Sequence, residues 1–541
     1  MLSNHKKSIE KLQALISMYS TESEAQKKSL IDAISANRNW TFFQLNTYHN
    51  LLQFMSAHPQ SVQQWMHIEK QLKRIAKYLS MNRSKLDESY NDSGLPFTTM
   101  NTRFSHDILL WSMDATVCKI TIDHFEAGGT DLNTLLNLTL PSVERAETTA
   151  GLSNEELLQV LGVKPNSRLS FLLREFNNLN DKPLVKDFLW DSMKLWVYIY
   201  SSKISFSRTF NRMPIRKIFI QNEILKKFDH VQLMNNHLPA PTTLNASLRG
   251  HLVTVIKSSL LLTMRETDPA TYMDESTLRY YTLERGIAIA IYGMKAQRQL
   301  PLQSYIGYTL FKNGYPAAYG GSWIFGKSAQ FGLNIFETFR GGESGYMLCQ
   351  LLRVYKQIFK LSSIEIDAYQ FGRDNIDGIR SGAFWFYYRY GFLPLSKKLQ
   401  SVALNEVSKI QSIDGYRTSE KTLIRFTERN MVLKFEKAMP MQFAVVYKNI
   451  SKCIQNKYQA DRILAIENSI DNFIRLAKPS THFSAMEMQV LQEVALMCNA
   501  MGWGTKNEVD IMLQMIHAKP EDPYLYNNLL IELLEQVKVA Y

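Results

Sequence analysis

The residues most able to do chemistry cluster in the second half of the chain. Arg340-Gly341-Gly342-Glu343-Ser344-Gly345 stands between a β-like stretch, residues 333–339, and an apolar stripe at helical spacing: Leu348, Leu351, Leu352, Tyr355, Ile358 and Phe359. A glycine-rich turn at a strand–helix junction exposes backbone N–H groups that have no intrahelical partner and that carry the positive end of the helix dipole. Glycine also lets a ligand approach the main chain closely. The chemistry this favours is phosphate or pyrophosphate binding, although a plain strand–helix connection uses the same residues. Three carboxylates lie nearby as candidate general bases: Glu337 before the turn, and Glu365 and Asp367 on the following β-like stretch. Each is equally at home as a solvated or salt-bridged strand carboxylate. Tyr387 is a candidate proton donor, in a helix that also carries Phe384, Trp385, Phe386, Tyr388 and Tyr390, where packing is the competing role. Cys349 falls on the apolar side of the helix after the turn and reads as packing. No histidine occurs between His251 and His482, so neither a Ser-His-Asp nor a Cys-His pair, nor a His-rich metal site, can be drawn within this segment.

The elements that must hold these groups follow from periodicity. From Ser304 onward the pattern alternates, and Asn313-Gly314 between two such runs predicts a type I′ hairpin, because both central positions need positive φ. Strands are expected over residues 317–325 and 330–336, then a helix, a strand over 364–369, a second helix capped at Ser381 and ended by Gly391, and a last strand from Phe392. On either side the chain reads as helix. Thr21–Glu24, Thr41–Gln44, Ser153–Glu156, Ser484–Glu487 and Thr505–Glu508 all have the spacing of capping boxes. Residues 187–199 are aromatic and fit helix or strand. The expected organisation is a mainly helical region over 1–240, a mixed-sheet domain over 241–400 and a mainly helical region over 401–541, in the α+β class.

Composition narrows the rest. In 541 residues, 45% are hydrophobic and 21% charged, ordinary values for a globular chain that buries a sizeable core. The net charge of +12 is mild over this length; it permits an anionic ligand, RNA or a membrane surface and requires none. Lys203, Arg208, Arg212, Arg216, Lys217, Lys226 and Lys227, with Phe206, Phe210 and Phe219 between them, form a basic zone that is expected to be a solvated face. Arg265-Glu266-Thr267-Asp268-Pro269 reads as a loop before a helix. Four scattered cysteines give neither a zinc knuckle nor a disulfide framework. No apolar run reaches the ~18 residues of a membrane span, and the N-terminus has no signal-like apolar core, so a cytoplasmic location is expected.

The order strand, R-x-x-G-x-G turn, helix, strand, then A-x-x-x-Y-x-x-x-G-F at Ala383, Tyr387, Gly391 and Phe392, resembles the GNAT superfamily of acyl-CoA-dependent N-acyltransferases. The likeness covers residues 304–395, reaching back at most to Arg265, and the wording R-G-G-E-S and S-G-A-F-W-F-Y is similar to a bacterial subgroup. The resemblance implies a GNAT-like mixed sheet and acyl transfer from acyl-CoA to an amine. It implies that the amides of Arg340, Gly341, Gly342, Glu343, Ser344 and Gly345 bind the pyrophosphate of coenzyme A. It also implies that the strand before the turn pairs with pantetheine and that Tyr387 protonates the departing thiolate. Glu343 stands where the family usually has glycine, and must point away or pair with Arg340 or Arg353 to spare a pyrophosphate. Arg380 stands where the family often has asparagine. Two further readings accompany the first: a catalytically inactive GNAT-like binding or assembly module, and a relative of transferases that draw the acyl group from aminoacyl-tRNA.

Overall fold

Asn313 and Gly314 both take positive φ, +44° and +83°, and turn the chain tightly between two long strands. That hairpin is the centre of the architecture. The computed structural model describes residues 2–537 apart from Arg38, Asp181 and Thr481. A small sheet in the N-terminal half is built from β1 (Met100–Thr102), β2 (Lys119–Phe125) and β3 (Leu195–Tyr200), in the order β1-β3-β2. The central sheet contains β4 (Arg279–Thr282), β5 (Ile287–Tyr292), β6 (Ser304–Lys312), β7 (Tyr315–Phe325), β8 (Ser328–Ile335), β9 (Ser363–Ile366), β10 (Leu393–Pro394) and β11 (Met431–Lys434). Its order is β10-β11-β9-β8-β7-β6-β5-β4. Every neighbouring pair is antiparallel except β8 and β9, which run parallel. The protein is therefore a mixed α and β chain, with the eight-stranded sheet carrying helices on both sides in sequence and in space.

Helices cover both faces of the central sheet. The crossover helix Ser344–Ile358 buries Met347, Leu348, Leu351 and Tyr355 against Ile306, Tyr308, Leu310 and Phe331. The expected apolar stripe is only part of its buried surface, because its outer side is covered as well. Arg353 Nε donates to Asn236 O, and the amide N–H of Leu238 donates to Gln357 Oε1, which lays residues 236–238 along the helix. On the other face the helix Ala246–Leu261 packs Leu252, Val255 and Ile256 against Ala288, Ala290, Tyr292 and Phe311. The C-terminal helices have their own core, joined to the sheet through Phe325, while Lys519 Nζ donates to Gln303 O and Ser304 Oγ.

Local signals mostly hold, with informative shifts. The boxes at Ser153, Ser484 and Thr505 form as expected. At the second helix the cap is one residue earlier: Ser20 is extended and exchanges hydrogen bonds with Ser23, so Thr21 is already helical. Thr41 caps the Gln44 amide without a return bond. Residues 187–199 divide between the helix Pro183–Ser192 and β3. The basic zone is not one solvated face. Arg216, Lys217, Lys226 and Lys227 are exposed, but Arg212 turns inward to Glu69 and Tyr315, and Arg208 turns to a cavity described below. Among the described residues no helix is long and apolar enough to cross a membrane.

Candidate functional site

The parallel pair β8/β9 sets the site. It is paired only from Ser328/Ser363 to Phe331/Ile366. Beyond that point β8 stays with β7 as far as Ile335, while β9 ends and the chain enters a 3-10 turn, Ala368–Phe371. The strands thus part at Gly332. In the gap lies the Gln370 side chain, whose Oε1 accepts from the Leu333 amide at 3.2 Å and from Tyr387 Oη at 3.4 Å. Tyr387 is 3% exposed, and burial pushes its phenol well above the ordinary range, so at neutral pH it is a proton donor and not a phenolate. Tyr308 Oη donates to Gly332 O at 2.9 Å, fixing the strand at the fork.

β8 stops four residues short of the expected Phe339. The Phe336 amide still donates to Ala317 O, and there the ladder with β7 ends; beyond it the chain leaves the sheet. Residues Glu337–Phe339 wind into a 3-10 turn, and Arg340 begins the glycine-rich segment. Gly341 takes φ +76° with nothing within 4 Å of where a Cβ would stand, so a left-handed backbone is the reason for glycine there. Gly342 lies beneath the ring of Phe54; a Cβ on it would sit 3.1 Å from that ring and 3.5 Å from His58 Nε2. A Cβ on Gly345 would overlap Tyr390 Oη at 1.6 Å, so this glycine is needed to admit a tyrosine ring. Among the described residues, none accepts a hydrogen bond from the amides of Gly341 through Tyr346.

Glu343 turns away from these amides and is almost fully buried. Its Oε2 accepts from Lys312 Nζ and from Gln221 Nε2, both at 2.7 Å; its Oε1 accepts from Arg285 and from the Leu225 amide. Burial pushes this carboxyl up, but Lys312, with help from Arg285, outweighs burial and holds it at about 2. The partners are Arg285 and Lys312, not the expected Arg340 or Arg353. Arg353 is taken by Glu284, and Arg340 Nε donates to Ile335 O. His58 is buried, its Nδ1 bonds Phe54 O, and its Nε2 has no partner; burial and then Lys312 lower it to about 3, so it is neutral.

The other candidates do not converge on one point. Glu365 accepts from Asn430 Nδ2 at 2.6 Å, and Asp367 caps the 3-10 turn through the Tyr369 amide. Glu337 is exposed and lines a cavity of about 340 Å3. This cavity lies between the helix Phe42–Ala57, the loop at residues 89–93, Arg208, Arg265 and the segment 334–340. Arg208 is enclosed on most sides though open to the cavity; burial lowers its guanidinium to about 10, offset in part by Glu337. Cys349 is fully buried, and burial raises its thiol, as packing requires. No group of three or more metal-ligating side chains occurs among the described residues.

Residue patterns alone singled out the turn and Tyr387, and missed Gln370, His58 and the part played by Arg208 and Arg265. Arg208 lay within the basic zone, flanked by Phe206 and Phe210. An arginine between two aromatics that turn inward was the available signal. No family model, curated protein or solved structure matches this chain.

Proposed function

We propose that the chain transfers an acyl group from acyl-CoA to an amine. The observation that carries this reading is the fork at Gly332, which opens toward a turn of unbonded amides at the start of the crossover helix. Such a turn accepts the pyrophosphate of coenzyme A, with the amides of Gly341, Gly342, Glu343, Ser344 and Gly345 supplying the main-chain contacts; the Arg340 amide, expected among them, is already given to Glu337 O, and the Glu343 side chain is held aside by Lys312 and Arg285. The pantetheine arm enters the fork by displacing Gln370, and the Leu333 amide is then free to donate to the acyl carbonyl. The amine nitrogen attacks that carbon, the C–S bond breaks, and Tyr387 gives its proton to the leaving thiolate. Glu337, the candidate base with no bonded partner, takes the proton released by the amine. Glu365 is the less favoured base, since Asn430 already occupies it.

A second reading has specific support. Gln370 fills the fork and Tyr390 is packed against Gly345, as in a module that has kept the fold and lost the reaction. Titration with acetyl-CoA and longer acyl-CoAs separates the two. A transferase binds the thioester, and its Tyr387→Phe variant loses roughly 10²–10⁴-fold in turnover with little change in acyl-CoA affinity. Absence of acyl-CoA binding, or unchanged turnover in Tyr387→Phe, leaves the binding module.

A further inference from the structure

We propose that the 340 Å3 cavity holds a small molecule bearing an acidic group, carboxylate or phosphate, at one end and an amine at the other. Three arginines line it, Arg208, Arg265 and Arg340, and each comes from a different part of the chain. Among the described residues, no carboxylate lies within ion-pair distance of any of them. Arg208 is held instead by neutral acceptors: Ser93 O at 2.6 Å, Asn50 Oδ1 at 3.3 Å and Asn46 Oδ1 at 3.0 Å. Arg340 Nε reaches Ile335 O, and Arg265 bonds Tyr319. A guanidinium drawn out of bulk water and given only neutral partners retains most of its attraction for an anion. Enclosed arginines elsewhere are paired with acids, as at Arg212–Glu69, Arg298–Asp187 and Arg353–Glu284, and Arg208 is not.

The amine end follows from the two carboxylates in the same wall. Asp92 is engaged, accepting from the Asn101 amide at 2.8 Å. The Glu337 side chain has no hydrogen-bond or ion-pair partner among the described residues; it acts on Arg208 only from beyond ion-pair distance, and its carboxylate is open to a cation in the cavity. The cavity is at the small end of ligand pockets, roughly 300–1,000 Å3. That suits a molecule of amino-acid to dipeptide size and is too small for coenzyme A whole. Identification of this site as the acceptor pocket rests on the transferase reading; its occupation by an acidic amine does not.

Isothermal titration of the full chain at fixed ionic strength tests the proposal, with L-glutamate as the acidic amine, succinate as the acid alone and putrescine as the amine alone. L-Glutamate is expected to bind at millimolar concentration or better, succinate more weakly, and putrescine not at all. Arg265→Gln is expected to weaken L-glutamate roughly tenfold or more, the loss of one charged hydrogen bond. Arg340→Gln, at an exposed position, serves as the second variant, since Arg208 also ties segments together. Glu337→Gln should abolish the preference for L-glutamate over succinate. No heat from either acid, binding unchanged in both arginine variants, or putrescine binding as well as L-glutamate would each overturn the proposal. So would succinate binding the more tightly, which removes the amine end. Acetyl-CoA titrated in parallel separates the two ideas: acid binding without acetyl-CoA binding fails the transferase alone, and the converse fails this site alone.

Discussion

Two charged regions flank the same stretch of chain, residues 337–343, and they are built on opposite principles. Around Glu343 every charge has its match. Lys312 and Arg285 meet one carboxylate whose remaining capacity is filled by Gln221 and the Leu225 amide, and both the Lys312 and Glu343 side chains are fully buried. Around Arg208 the three arginines outnumber the two acids, none is in an ion pair, and there is space. Matched charge in a closed place fixes the backbone, here the entry to the crossover helix. Unmatched charge beside a cavity reserves room for something that is not protein.

The comparison can be broken at its closed side first. Glu343→Gln keeps the shape and removes the charge, leaving Lys312 and Arg285 without a counter-charge; it should cost roughly 3–5 kcal/mol in urea unfolding. Adding Lys312→Met should recover part of that loss, because an apolar side chain replaces a stranded cation. Acid makes the same cut reversibly. The folded carboxyl of Glu343 titrates near 2, below the ordinary 4.5, so its contribution is full above pH 4.5 and is lost as the pH falls toward 2. The shift corresponds to about 3 kcal/mol, and Glu343→Gln should flatten that part of the stability–pH curve.

Smaller effects sharpen the contrast. Gly345→Ala forces a methyl into Tyr390 and should cost roughly 1–3 kcal/mol, partly relieved when Tyr390→Leu is added. Smallest of all, Arg265→Gln on the open side should shift stability by no more than about 0.5 kcal/mol, because it breaks no ion pair. A loss as large as that of Glu343→Gln would mean that the two regions do the same job.

Legibility in the sequence tracked how local each cause was. The Asn313-Gly314 hairpin and three capping boxes depend on neighbours within four residues, and all were readable. The order β8, turn, helix, β9 was readable as well, since the crossover is a continuous piece of chain. β11 was not: Met431–Lys434 is four residues long and inserts between β9 and β10, a pairing that leaves no nearby mark. The early end of β8 left no mark in the alternation, which runs on to Phe339 although pairing with β7 stops at Ile335. Arg208 was misread with its neighbours as a solvated face, because a run of basic residues does not say which of them turn inward. Glu343 was recognised as needing a partner, but Lys312 and Arg285 are brought to it only by the sheet.

The side chain of Asn313 has a consequence for how the chain is made. Its amide donates to Ala57 O, 256 residues earlier, and Tyr315 Oη meets Ser56 Oγ from equally far away. A ribosome adding about 5–20 residues per second leaves the helix Phe42–Ala57 waiting roughly 10–50 s for the hairpin that receives it. Throughout that interval Leu51, Leu52, Phe54 and Met55 can pack among the neighbouring helices, as they do in the finished protein, but Ser56 and Ala57 have no sheet to dock on. The last turn of the helix Phe42–Ala57 thus leaves the ribosome well before the hairpin that receives it, and over that interval it is open to a nascent-chain chaperone.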